Sequence, residues 1–126
     1  MRVFKNKWFN HWARHEGIPD VVLRKAAKEI AEGNVEADLG GCLFKKRLPR
    51  IGAGKRGGYR VLVGYKRPNA ERIIFLYAFA KNDKANISDK EEAALSLVAE
   101  SFVASVDEHV STLLATNLLW EVQGDD

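Results

Sequence analysis

The run RIIFLYAFA, from Arg72 to Ala80, constrains the fold more than any other part of the chain. After its leading arginine it is unbroken apolar sequence, the pattern of a central strand buried on both faces. Two more strand-like runs precede it, Leu43 to Leu48 and Tyr59 to Tyr65, with Gly and Pro punctuation between them. In the first, Phe44, Lys46 and Leu48 point one way and Lys45 and Arg47 the other. In the second, Tyr59, Val61, Val63 and Tyr65 share one face, and Arg60, Leu62 and Gly64 share the opposite one. Arg60 therefore stands alone among apolar residues in mid-sheet. A buried guanidinium without a partner costs several kcal/mol, so Arg60 either pairs with a carboxylate or lines a cleft and holds a phosphate bidentately.

These strands carry an unusual charge distribution. Lys45, Lys46, Arg47, Arg50, Lys55, Arg56, Arg60, Lys66 and Arg67 are positive, and no Asp or Glu occurs between Asp38 and Glu71. The net charge of +3 thus conceals a basic sheet and an acidic remainder, much of it after Asn86. A basic field laid on a sheet attracts phosphate, and the acidic helices offer a second face or simply a solvated one.

The flanks are helical. Met1 to Phe4 reads as a short strand, and Lys5 to His15 then places Trp8, Phe9 and Trp12 at helical spacing, which predicts core positions, with stacking of a Trp on a nucleic-acid base as the functional alternative. His11 and His15 sit at i, i+4 in HWARH, but the Glu of a zinc HExxH is missing and no third ligand is evident. Pro19 and Asp20 open the next helix at its first positions, Leu23, Ala26, Ala27 and Ile30 form its buried stripe, and Gly33 with Asn34 ends it. Ser88 to Glu91, SDKE, is a capping box. Leu95, Val98 and Phe102 are the expected core stripe of the helix it starts. Val110, Leu113, Leu114 and Leu118 are that of a last helix beginning near Asp107, and Leu119 to Val122 closes the chain as an extended tail or edge strand.

At 126 residues the chain is long enough for one core and too short for two. No apolar run approaches the ~20 residues of a spanning helix and the N-terminus lacks a signal-peptide core, so the default location is the cytoplasm, with no membrane partner. Cys42 is the only cysteine, which excludes an internal disulfide and a cysteine-based metal cage and reads as a small buried residue. The loop segment GAGKRGG fails as an ATP-binding P-loop, because Arg56 follows Lys55 where Ser or Thr is needed and a strand, not a helix, comes next. Its backbone N–H groups, with Lys55 and Arg56, still suit a phosphate. Lys81, Asn82, Asp83 and Lys84 place polar groups at the mouth of the central strand.

The basic stretch has no His and no pair of carboxylates, which excludes a Ser/His/Asp triad and a two-metal nuclease there. Arg, Lys and Tyr remain. They suffice to cleave RNA, because the substrate's 2′-OH is the nucleophile and the protein need only orient it and stabilise the phosphorane charge. Such a site is weak alone, which points to another macromolecule that positions the RNA.

The pieces KRLPRIGAGKRGGYRVL, Lys46 to Leu62, and FLYAFAKNDKANIS, Phe75 to Ser88, resemble the RelE/HigB toxins of bacterial type II toxin–antitoxin systems. Flanking agreement runs from KWFNHWARHEG through ADLGG to LLWEV, so the resemblance covers essentially the whole chain. It implies an α+β fold, an antiparallel sheet packed with N-terminal and C-terminal helices, in a single domain of residues 1–126. Within it, 1–33 are a strand and helical hairpin, 42–81 the basic sheet, and 88–122 the C-terminal helices and tail. It also implies a metal-independent endoribonuclease without cofactor that enters the A site of the 70S ribosome and cuts mRNA by 2′-OH attack. In that comparison Arg60 matches the arginine that stabilises the transition state and Lys81 a basic residue at the end of the following strand. Lys45, Lys46 and Arg47 match the RNA-binding strand, and Arg50, Lys55, Arg56 and Lys84 extend that basic surface. The family's C-terminal catalytic tyrosine has no counterpart, which leaves Tyr59, Tyr65 and Tyr77 to fill its role, with Tyr59 and Tyr77 taken as the catalytic candidates. The implied partners are a cognate antitoxin, often of helix-turn-helix type, and promoter DNA through the antitoxin complex. Two other readings share these features: a toxin of the same fold that poisons DNA gyrase, as the ParE branch does, and a basic module that only holds RNA or antitoxin.

Overall fold

The computed structural model describes residues 1–50, 58–66 and 72–124. In chain order the elements are β1 (Arg2–Asn6), α1 (Lys7–His15), α2 (Asp20–Ala31), β2 (Ala37–Gly40), β3 (Leu43–Leu48), β4 (Tyr59–Tyr65), β5 (Arg72–Ala80), α3 (Asp89–Ala104), α4 (Asp107–Ala115) and β6 (Leu119–Glu121). The fold is α+β. Its strands form one six-stranded sheet in the order β2-β3-β4-β5-β1-β6, so the apolar run of β5 is an inner strand. Pairing is antiparallel except between β1 and β5, which run parallel with Val3 opposite Ile73 and Lys5 opposite Phe75. The bounds of β3, β4 and β5 are those their periodicity predicts. Strand β2 went unread because ADLG has little β-propensity, and its pairing with β3 places it in the sheet.

Each sheet face has its own core. Under α1 and α2 lie Val61, Val63, Ile73 and Phe75 from the sheet with Phe9, Leu23, Ala27 and Ile30 from the helices. On the opposite face Phe4, Leu62, Ile74, Leu76 and Leu119 pack with Ala99, Phe102 and Val110 of α3 and α4. Ion pairs fasten α2: Lys5 Nζ lies 2.9 Å from Asp20 Oδ1, and Lys46 Nζ 3.3 Å from Glu29 Oε1. Asn6 fixes the start of α1. Its Oδ1 accepts from the Phe9 N–H at 2.8 Å while its Nδ2 donates to the Leu76 carbonyl at 3.0 Å, so the helix begins against β5.

Several expected core positions shift. Trp8 is 44% exposed, because the buried stripe of α1 runs through Phe9 and Ala13. Pro19 is the N-cap of α2, one place ahead of the expected first turn. In α3 the buried residues are Ala99 and Phe102, and Val98 is exposed. The cause is Gly64: a Cβ built there would stand 3.1 Å from Ala99 Cβ, so the helix rests on the sheet through its smallest side chain. Leu118 follows α4 and is also exposed. Cys42 is half-buried in the β2–β3 turn, where its φ is 64°.

Candidate nucleic-acid interface

Cross-strand register assembles the candidate site on the α3 face. Arg47 of β3 lies directly opposite Arg60 of β4, and Arg60 in turn opposite Phe79 of β5. The next row in the same direction pairs Lys45 with Leu62 and Leu62 with Tyr77. Tyr77 reaches this face because the register shifts between Leu62 and Val63, the latter pairing with Phe75. Without that irregularity the strict alternation of β5 would carry Tyr77 to the other side. Two arginines opposite each other repel, and such a pair is destabilising unless an anion lies between or beside them.

One anion is built in. Glu36, just ahead of β2, places Oε2 2.6 Å from Arg60 Nε. The Arg60 side chain is 9% exposed and that of Glu36 30% exposed, so the pair sits at the mouth of a shielded place. Arg60 therefore has a carboxylate partner, the first of the two arrangements its position allows. That partner engages Nε, and a guanidinium so held is oriented for an oxyanion at its Nη edge. Sequence reading missed Glu36 because its nearest charged neighbour in space comes from a strand 24 positions later. The available signal was its place as the last glutamate before the acid-poor stretch.

Around this pair lie further cations and rings. Lys84 Nζ is 2.7 Å from both oxygens of Glu91, 5.4 Å from the Tyr77 ring centre and 6.0 Å from that of Phe79. The Glu91 carboxyl is held down to about 2, chiefly by its hydrogen bond from Lys84 and then by the Ser88 N–H; Lys84 is correspondingly raised. Ser88 and Glu91 complete the expected capping box, so the same carboxylate caps α3 and tethers Lys84. Lys45 Nζ lies 3.5 Å from Asn86 Oδ1.

The structure therefore brings Lys45, Arg47, Arg60, Tyr77 and Lys84 together. Lys81 follows β5 as an exposed residue whose N–H donates to the Gly58 carbonyl at 3.2 Å. Three other candidates lie elsewhere. Lys46 is buried against Glu29 on the α2 face. Tyr59 belongs to that same core, with its hydroxyl 2.5 Å from Glu16 Oε1; burial, then that hydrogen bond, raises its pKa and makes it a poor base. Arg50 stands 5.8 Å from the Tyr59 ring and lines a separate groove with it. Lys55 and Arg56 lie outside the described residues.

One face of this α+β fold's sheet presents facing arginines, lysines and aromatic rings, donors and surfaces whose chemistry suits phosphates and bases. The profile described as the RelE toxin of the RelE / RelB toxin-antitoxin system matches residues 1–122. The chain belongs to this RelE toxin family and is a toxin of a toxin–antitoxin system, which implies a cognate antitoxin as partner. No individual curated protein matches the chain significantly. Among the described residues no helix is long and apolar enough to cross a membrane.

Proposed function

We propose that this toxin is a ribosome-dependent mRNA endonuclease working in the cytoplasm as a single domain of residues 1–126. The observation that carries the reading is the opposed Arg47–Arg60 pair with Glu36 at the Arg60 guanidinium. One carboxylate offsets one of two facing cations, and a bound phosphate would offset the other. In the reaction the RNA 2′-oxygen attacks the adjacent phosphorus, the bond to the 5′-oxygen breaks, and a cyclic phosphate and a free 5′-hydroxyl result. Arg60 stabilises the charge gathering on the phosphorane oxygens, and Arg47, Lys45 and Lys84 hold neighbouring phosphates. Glu36 is within reach of the same phosphate through Arg60 and is the carboxylate suited to accept the 2′-OH proton, with Tyr77 lining the approach. Lys81, exposed at the strand end, suits protonation of the leaving 5′-oxygen. No metal or cofactor enters this scheme.

A site with so few acid–base groups depends on precise placement of the RNA, which the ribosomal A site provides. The antitoxin silences the toxin, and promoter DNA is met only through their complex. The test is mRNA integrity in a cell-free translation reaction with and without ribosomes. Cuts that require ribosomes are expected. Intact mRNA from a protein that still arrests growth would transfer the reading to DNA gyrase.

A further inference from the structure

A second aromatic and basic surface adjoins this site. Lys7, Trp8, Asn10 and His11, at the start of α1, line a groove of about 650 Å³ whose other wall is Trp120 of β6. That volume falls within the ~300–1,000 Å³ typical of clefts that take small planar ligands. Among the described residues no carboxylate lines it. Trp8 is 44% exposed, an uncommon cost for an indole that has a helical core stripe beside it. Its ring stacks on Trp12 at an interplanar angle of 9° and stands 4.6 Å from the Tyr77 ring centre. Tyr77 is in turn under Lys84, one row of the sheet from Arg60. The groove and the phosphate site are thus joined through a single side chain.

We infer that the Trp8–Trp120 groove is a stacking subsite for an unpaired nucleobase of the RNA strand whose phosphates lie along Lys45, Arg47 and Arg60. The inference rests on the RNA reading above and adds a place for a base to a surface that otherwise contacts only phosphate. Indole faces stack on any base. Asn10 offers a donor and an acceptor to a base edge, and Lys7, with no carboxylate among the described lining residues to neutralise it, favours the attached phosphate. Charge complementarity and continuity with the Arg60 face favour RNA over a protein segment as the occupant.

The experiment is anisotropy titration of a labelled single-stranded 2′-O-methyl oligoribonucleotide, which binds but has no 2′-OH to react. Trp8→Ala and Trp120→Ala are each expected to weaken binding ~10-fold, the size of losing one base stack. Trp8→Phe should retain affinity, which separates stacking from folding. Replacing single bases by abasic positions should reproduce the loss in the wild type and add nothing in Trp8→Ala. If the wild type binds the oligonucleotide and the alanine variants bind it equally well, the subsite is wrong and the RNA reading stands. A wild type that neither binds nor cleaves RNA overturns both. If the variants lose antitoxin affinity and keep RNA affinity, the groove belongs to the antitoxin and the inference fails.

Discussion

The two faces of the β3–β4–β5 sheet are made by alternate residues of the same strands and are held together by different forces. Under α1 and α2, Val61, Val63, Ile73 and Phe75 contribute nothing but apolar surface, and the buried lysines described on that side, Lys5 and Lys46, are each paired to α2. Across the sheet, α3 meets the strands at Gly64, whereas toward Arg60 the contacts become ionic and aromatic: Glu36 on Arg60, Lys84 over Tyr77 and Phe79. The lesson concerns where free energy is placed. A closed core on one face stabilises the sheet enough for the other to carry facing arginines, which alone would oppose folding. Adjacent residues on one strand thus serve opposite purposes because their side chains alternate.

The largest contrast is between Val61 and Arg47, residues on paired strands that face opposite sides. Val61→Asp buries an unpaired charge in a fully enclosed position and is expected to abolish cooperative unfolding in a thermal melt. Arg47→Ala, on an exposed residue, should leave the melting curve within ~0.5 kcal/mol of wild type while lowering RNA affinity and its salt dependence. Equal destabilisation by both would erase the distinction between the faces.

A smaller effect separates the two halves of the α3 face. Gly64→Ala would bring a methyl within 3.0 Å of Ile74 Cγ2 and 3.1 Å of Ala99 Cβ, both in a packed interior. Overpacking of this kind costs ~1–3 kcal/mol, read as a lower denaturation midpoint. Cleavage by the folded fraction should persist, because the ionic half is untouched. The smallest effect is one of pH. Glu91 has a depressed folded-state pKa, so its contribution is present above the ordinary 4.5 and is lost as pH falls toward about 2. In an NMR titration the Glu91 carboxylate should titrate well below the ordinary 4.5, and Glu91→Gln should flatten the fall in stability over that window.

Much of this was legible in the chain. Strands β3, β4 and β5 announced themselves because alternation and continuous apolarity are local patterns, and the Ser88 cap is a four-residue signal. The basic face was legible as charge, and the α2 stripe as periodicity. What stayed hidden depends on contacts between distant segments. Glu36 has meaning only once β2 joins the sheet, and ADLG gives no local reason to expect that. Tyr77 shares a face with Arg60 only through a register shift, which also separates it from Tyr59. Trp8 carries the same helical spacing as a core residue, and nothing in α1 alone says that Phe9 and Ala13 take that place instead.

The most direct test of the central claim is the single-turnover cleavage rate of ribosome-bound mRNA by Arg60→Ala, with thermal unfolding and antitoxin binding measured on the same sample. Removing Arg60 leaves Glu36 unpaired but partly hydrated, so a stability loss of ~1–3 kcal/mol is expected, below the cost of orphaning a fully buried charge. The account predicts a rate lower by ~10²–10³, the effect of losing one charge-stabilising donor, with antitoxin binding retained. An Arg60→Ala protein that is folded and cleaves at the wild-type rate would contradict it.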